Sequence, residues 1–288
     1  MTARLIDGKA ISAQVRAEVA ERVRALQARN VQPGLAAVLV GDDPASKIYV
    51  GSKQKASADV GIHSERVDLP ADVSQEELLA GVERLNTDPR ISGMIVQLPL
   101  PEHISELAVQ QAVAPSKDVD CLGPTNVGLM TRGEALFLPA TPYGVVEMLV
   151  RSDMEIEGAD VTIVGRGGLV GMPLAIMLAQ RSRRGNATVT LCHTRTRDVG
   201  AHTRTADVVV VATGVPGSLR ADMVKPGATV VDVGINRVDG KVVGDVAFDE
   251  VAEVAGAITP VPGGVGPMTV AMLLVNTVAA AEAQAARG

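Results

Sequence analysis

Val161-Thr-Ile-Val-Gly-Arg-Gly-Gly-Leu-Val-Gly171 is the stretch on which the fold turns. Val161 to Gly165 reads as a short buried strand. It runs through a glycine-rich turn straight into a helical pattern over 169–181. A strand, a glycine turn and a helix in that order make a dinucleotide-binding turn. The glycines let the backbone approach a pyrophosphate, and the helix N-terminus offers N–H groups and a partial positive charge. The spacing departs from G-x-G-x-x-G, because the third glycine comes one residue late. A tight turn in another kind of α/β protein is the alternative reading of the same residues.

The residues that follow bear on which dinucleotide. Sites for NAD place an Asp or Glu near the end of the second strand, where it holds a ribose hydroxyl. No acidic residue occurs from Val161 to Arg197, which instead contains Arg166, Arg181, Arg183, Arg184, His193, Arg195 and Arg197. The second strand, 188–192, ends just before His193, Thr194 and Arg195. A basic, hydroxyl-bearing turn there suits a 2′-phosphate, which favours NADP. Arg181, Arg183 and Arg184 read as a solvated basic helix face.

Outward from this core, further strands are expected at 207–211 and 228–233, with a hairpin turn at Asp239-Gly240. Toward the N-terminus, Ile11, Val15, Val19, Val23 and Leu26 at helical spacing predict an amphipathic helix over 9–29. Gly34–Gly41 is a continuous apolar run suited to a buried parallel strand. A helix at 46–60, a strand at 62–69, a helix to Leu85 opened by the capping pair Ser74 and Glu77, a strand at 91–98 and a helix near 104–113 follow. Residues 114–141 are irregular. Thr141-Pro142 then offers an N-cap and a first-turn proline for a helix to about Ser152. The segment 260–267 reads as a rigid loop before a last helix from Met268. The alternation predicts an α/β protein of two α/β domains with parallel sheets, the second Rossmann-like, with a cleft between them. The expected division is 1–140 plus 268–288 against 141–267.

Composition narrows the function classes. The 288 residues carry a net charge of −6, so the chain offers no overall basic surface for nucleic acid. Met268–Ala281 is apolar but only about 14 residues long, short of a membrane span. The N-terminus has no apolar signal core, and the two cysteines, Cys121 and Cys192, form no metal-ligand spacing, so a cytoplasmic protein with reduced thiols and no bound metal is expected. With two Tyr, two Phe and no Trp, the core is built from aliphatic residues, and a tyrosine in a polar setting stands out. Tyr49 and Lys53 are four apart on a predicted helix and share one face. Alone, that pair is more often a solvated face than a site.

The wider pattern resembles the bifunctional methylenetetrahydrofolate dehydrogenase/methenyltetrahydrofolate cyclohydrolase family. The resemblance rests on Gly41-Asp-Asp-Pro-Ala-Ser46 with Tyr49 and Lys53, Gln97-Leu-Pro-Leu-Pro101, Pro115-Ser-Lys-Asp-Val-Asp120, Pro139-Ala-Thr-Pro142, Val164–Pro173, Asp232-Val-Gly-Ile-Asn236 and Pro262–Thr269. These motifs run collinearly from about residue 4 to 280. The resemblance implies NADP as cofactor, tetrahydrofolate derivatives as substrates and a homodimer. It makes the first domain the folate-binding catalytic domain and the second the NADP-binding domain. It implies Lys53 as the lysine of the cyclohydrolase step, Tyr49 packing on the aminobenzoate, Gln97 bonded to the lysine, and Asp120 gripping the pterin edge. Leu98, Pro262 and Gly263 are implied as further substrate contacts. Gly165, Arg166, Gly167, Gly168, Val170, Gly171, His193, Thr194, Arg195 and Ile235 are implied as cofactor contacts. A paired-donor pterin edge suits a carboxylate, which accepts in bidentate fashion.

Three positions depart from the family's pattern: Ala140 stands where Cys is usual, Gly167 where a Ser that helps bind NADP is usual, and Cys121 where Gly is frequent. Hydride transfer to another small substrate, such as a hydroxy acid or shikimate, would need a site without a pterin-sized slot. A redox-sensing module without catalysis would leave Tyr49, Lys53, Gln97 and Asp120 idle.

Overall fold

The structure, a computed structural model, describes residues 2–287. It divides into two compact units, one of Gln14–Ala140 with Val270–Gly288 and one of Met1–Ala13 with Thr141–Thr269. Each is built on its own parallel sheet.

In the first unit the sheet has three strands: β2 (Gly34–Val40) lies between β3 (His63–Leu69) and β4 (Gly93–Val96), parallel to both. Every residue of β2 is buried, as its unbroken apolar run predicts. Gly34 is required there, because a Cβ would run into the Arg90 carbonyl. The amide of Gln97 donates to the Val38 carbonyl at 2.9 Å, which carries the ladder past β4 and fixes Gln97 at the carboxyl end of the sheet. Helix α2 (Pro44–Asp59) starts beside that end. Asp43 caps it by accepting from the Ser46 amide at 2.7 Å, and proline opens its first turn. Helix α3 (Gln75–Thr87) carries the expected capping box of Ser74 and Glu77. Leu78, Val82 and Leu85 on its inner face join Ala36, Val38, Met94 and Val109 in the core. Helix α4 spans Glu106–Ala112.

The irregular stretch holds one unexpected element, α5 (Pro124–Arg132). Its first turn contains Pro124, an internal Gly128 interrupts the apolar period, and Gly133 ends it at φ 74°, so no helical signal stood out. The last helix, α10 (Val265–Ala285), begins earlier and runs longer than expected and takes in the end of the predicted rigid loop. By length and composition α10 could cross a membrane, but most of it is buried within the fold. Its buried Asn276 donates to the carbonyls of Val119 at 2.8 Å and Leu138 at 2.7 Å.

In the second unit six parallel strands lie in the order β1-β11-β8-β7-β5-β6. They are β5 (Asp160–Val164), β6 (Thr188–Cys192), β7 (Val208–Val211), β8 (Thr229–Asp232), and the short β11 (Ala257–Ile258) and β1 (Arg4–Leu5) at one edge. Pairing of β1 with β11 places residues 2–13 with this sheet, although the sequence groups them with the first domain. A two-residue strand carries no periodic signal, which is why the reading missed it. The chain goes from β5 to β6 on one side and returns across β5 to β7 on the other, so the topological switch falls at the carboxyl end of β5. Hairpin β9 (Asn236–Val238) to β10 (Lys241–Val243) forms as expected, with Asp239 at φ 49° and Gly240 at φ 74° in the turn.

Helix α6 (Ala140–Arg151) begins one residue before Thr141, so Thr141 is helical and not an N-cap; its hydroxyl meets that of Thr269 at 3.0 Å. Helix α7 (Gly171–Ala179) stops short of Arg181. Arg181, Arg183 and Arg184 therefore lie beyond it and not on a helix face. Arg184 is ion-paired with Glu147, a buried carboxylate that also takes Arg151 at 2.9 Å.

Candidate active site

Helix α2 delivers two of the candidate residues in the first unit. Val50, Lys53, Ala56 and Ser57 occupy its buried face, and the chain has put a lysine where an apolar residue would be routine. Lys53 is only 5% exposed. Its ammonium sits 4.4 Å from the centre of the Tyr49 ring, one turn earlier, and donates to Gln97 Oε1 at 3.2 Å. The Gln97 amide nitrogen in turn donates to the Leu98 carbonyl at 2.7 Å, which leaves the carbonyl oxygen turned to the lysine. Burial pushes the Lys53 pKa below the ordinary lysine value; the charge of Asp120 opposes this and holds it up in part. The result is an amine whose proton is held less tightly than water alone would allow, beside one fixed acceptor.

Of the two carboxylates in Lys117-Asp118-Val119-Asp120, the first is structural. Asp118 is buried and accepts from the amides of Leu122 at 3.1 Å and Gly123 at 2.9 Å and from the Asn126 side chain at 2.9 Å. Burial raises its pKa against those hydrogen bonds. Lys117 is spent in the same way, donating to the carbonyls of Leu85 and Asp88 at the end of α3. Asp120 remains half-buried and lines, with Leu98, Leu100 and Leu122, an apolar pocket beside β4. The alternation of Asp118 and Asp120 divides scaffold from site, and the sequence pattern alone marked the motif without dividing it. Cys121 adopts φ 56°, the left-handed region in which glycine is at ease, which accounts for the glycine frequent there. Its buried thiol is pushed up to about 12, so it stays protonated and inert.

In the second unit the glycine turn has the geometry of a cradle. Gly165 adopts φ 120°, and a Cβ on it would strike the Ala212 carbonyl; one on Gly171 would strike the carbonyl of Gly165. These two glycines are obligatory. Gly167 and Gly168 face open space. Val170 is the N-cap of α7 and supplies no side-chain cap; the Met172 amide is held by the Gly167 carbonyl at 3.1 Å, and Pro173 has no N–H. Val164 pairs with Cys192, which sets the 193–196 turn beside the glycine turn. There the His193 carbonyl accepts from the Thr196 amide, and His193 Nδ1 accepts from the Arg195 amide at 3.1 Å. Thr194, Arg195 and Arg166 are exposed. Such a glycine turn at a helix N-terminus, with exposed guanidinium groups on it and at the neighbouring turn, fits a phosphorylated dinucleotide. Ile235, Pro262 and Gly263 line one further cavity together with Lys9 and Asp232.

Comparison with known proteins agrees with this geometry. A family model described as the tetrahydrofolate dehydrogenase/cyclohydrolase catalytic domain matches residues 6–120, and one described as the NAD(P)-binding domain of the same enzymes matches residues 139–285. The chain belongs to the tetrahydrofolate dehydrogenase/cyclohydrolase family. A relative named bifunctional protein FolD, from Paraburkholderia xenovorans, is 56% identical over 287 residues, 99% of each chain. The crystal structure of the bifunctional FolD enzyme from Campylobacter jejuni is 48% identical, covers 98% of this chain and 99% of that one, and superposes with a TM-score of 0.94. The Trypanosoma brucei dehydrogenase-cyclohydrolase, solved with NADP and an inhibitor, is 40% identical over the whole of both chains, with a TM-score of 0.93.

Within this family site, Lys53 is the group whose burial costs stability. Because its pKa is lower folded than unfolded, folding releases a proton, and the native state gains stability as pH rises from the lowered pKa toward the ordinary one. Lys53→Met removes that penalty. We expect the variant to be more stable than the parent at neutral pH, with the advantage shrinking as pH rises toward 10, as read from denaturant unfolding at several pH values. An advantage that grows with pH, or a variant less stable throughout, would contradict the lowered pKa.

Proposed function

We propose that the chain oxidises 5,10-methylenetetrahydrofolate to the 5,10-methenyl form with NADP, and hydrolyses that product to 10-formyltetrahydrofolate, by way of the residues assembled above. The observation that carries the reading is the buried Lys53 amine over the Tyr49 ring and against Gln97. Neither a hydride transfer to a hydroxy acid nor a redox-sensing module uses that arrangement.

When bound, NADP supplies the hydride acceptor, and Gly165–Gly171 with the N-terminus of α7 hold its pyrophosphate. Arg166, Thr194 and Arg195 would read the 2′-phosphate, with His193 shaping their turn, and Ile235 would be a further cofactor contact. The folate nitrogens stabilise the methenyl cation themselves, so the protein's part in oxidation is positioning. Tyr49 stacks on the aminobenzoate, and Asp120 accepts from the pterin edge in the pocket it shares with Leu98. Pro262 and Gly263, which the resemblance also implies as substrate contacts, line a cavity of the second unit.

Hydrolysis needs a proton carrier. Water attacks the methenyl carbon and loses a proton to the neutral Lys53 amine. The amine then returns it to N5 as the C–N5 bond breaks, and the remaining hydroxyl proton leaves to solvent as the C=O of the formyl group forms on N10. Gln97 keeps the amine aimed, and burial lowers its pKa, which favours the neutral form the step needs. The free, buried state of Cys121 and Cys192 supports a reducing cytoplasmic setting, and the family resemblance supports a homodimer.

Two measurements test this reading. With methenyltetrahydrofolate, Lys53→Met or Lys53→Ser should lose hydrolysis by about 10²–10⁴-fold, the worth of general acid–base catalysis; a variant with full hydrolytic rate would remove Lys53 from the mechanism. Gly167→Ser restores the family's usual residue at a position with room for it. One added hydrogen bond to a phosphate is worth about 1.5 kcal/mol or more. The KM for NADP should therefore fall about ten-fold in initial-rate assays while that for NAD stays within about two-fold; an unchanged ratio would place the 2′-phosphate elsewhere.

A further inference from the structure

Two buried carboxylates in the second unit have no part in the scheme above. Asp232 ends β8 and is 2% exposed; Asp245 follows β10 and is fully buried. Neither has a cationic partner among the ion pairs of the described residues. Backbone amides surround them instead. Asp232 Oδ1 accepts from Gly234 and from Asp245 itself, both at 2.9 Å, and its Oδ2 accepts from Val246 at 2.9 Å. Asp245 Oδ2 accepts from the amides of Thr213 at 2.6 Å and Gly214 at 2.8 Å and from the Thr213 hydroxyl at 3.0 Å, while its Oδ1 accepts from Asn236 Nδ2 at 2.8 Å. The packing leaves no slack: a Cβ at Gly234 would strike the Asp245 carboxylate, and one at Gly244 would strike that of Asp232.

The two acids therefore tie together three segments, 213–214 after β7, 233–236 after β8, and 244–246. Strands β7 and β8 are neighbours, and β7 is next to β5, whose end carries the glycine turn. The tied loops thus emerge on the same carboxyl edge as the nucleotide cradle, where α/β sheets bind ligands. From these loops two aliphatic side chains stand into solvent, Val215 at 57% exposure and Ile235 at 66%. Burying two carboxylates to hold exposed apolar residues still has no use in packing. Hydrogen bonds to ionised groups are the strongest available for fixing a loop.

We propose that Asp232 and Asp245 are positioning residues of the dehydrogenase reaction: as a linked pair they hold the 213–215 and 233–236 loops so that Val215 and Ile235 present a preformed apolar surface to a flat ring of the bound dinucleotide. The inference rests on the dehydrogenase reading, and adds to it the pair that organises the loops and Val215 as a contact. A preformed surface spares the nucleotide the ordering of two loops on binding, so the benefit appears in affinity.

The hydrolytic activity provides the control, since it is assayed on methenyltetrahydrofolate without nucleotide and its proton carrier, Lys53, lies in the other unit. Asp245→Asn keeps the shape but puts an amide N–H₂ against donors. We expect KM for NADP to rise at least ten-fold, with kcat changed less than KM, and hydrolysis to stay within about two-fold of the parent. Val215→Ser, which touches no hydrogen bond of the pair, should raise KM for NADP three-fold or more at unchanged thermal stability. Asn236→Ala, which removes the bonds of this side chain to Asp245 and to the Gly244 carbonyl, should move KM in the same direction and carries the test if Asp245→Asn does not fold. An unchanged KM for NADP in Asn236→Ala and Val215→Ser overturns the proposal. If Asp245→Asn folds, an equal loss of dehydrogenase and hydrolase in it also overturns the proposal, by making the pair merely structural. Failure of the parent enzyme itself to reduce NADP would sink the dehydrogenase reading, a result distinct from any of these.

Discussion

The site depends on one costly choice, an amine placed on the inward face of α2 and removed from water. A buried lysine gives up hydration that its neighbours only partly replace. Here the replacement is limited to one amide oxygen, one aromatic face and the more distant charge of Asp120. An ion pair would have satisfied the amine better and raised its pKa, leaving it useless as a proton carrier near neutral pH. Gln97 is the compromise: a neutral acceptor, locked by the continued β-ladder and by its own bond to Leu98, that orients the amine without holding its proton.

The rest of the first unit serves that geometry. The capped start of α2 sets the helix against β2, the buried Asp118 shapes the turn that carries Asp120, and Lys117 closes the end of α3. Asp118 and Lys117 are thus spent on backbone groups, whereas the buried Lys53 amine meets only a side-chain amide and an aromatic face. The second unit uses the same device for a different end. Its Asp232 and Asp245 are saturated by amides, and their product is a fixed set of loops beside the glycine turn. In both units the functional loops leave the carboxyl end of a strand flanked by its neighbours in either direction, as parallel sheets require.

Much of this was legible in the residues. Continuous apolar runs such as Gly34–Val40 and Val208–Val211 can only be buried parallel strands, and the glycine turn after Val164 named its own function. Capping chemistry placed the start of α3 and the Asp239-Gly240 hairpin. Elements with little periodic signal escaped: β1 and β11 have two residues each, and α5 is broken by glycine. The start of α6, read as Pro142, falls two residues earlier at Ala140, because Thr141-Pro142 imitates a cap. Arg184 read as solvated because its partner, Glu147, lies far off in sequence. The roles of Asp118, Asp232 and Asp245 were hidden for a related reason. Their partners are backbone amides several residues away, which no pattern of side chains records. Motif resemblance named Lys53 and Gln97, but only the fold shows why the amine's pKa is lowered: α2 buries Lys53, and Gln97, just past β4, meets it with an amide.

The most direct test is to titrate the Lys53 amine itself in the nucleotide-free enzyme, by ¹⁵N-detected NMR of lysine-labelled protein with the resonance assigned by its loss in Lys53→Met. A midpoint below the ordinary lysine value of about 10.4, shifted further down when Asp120 is replaced by Asn, is the result expected of a buried proton carrier. A midpoint at or above the ordinary value would mean that the amine keeps its proton throughout the working range, and the account of the hydrolytic step would fall with it.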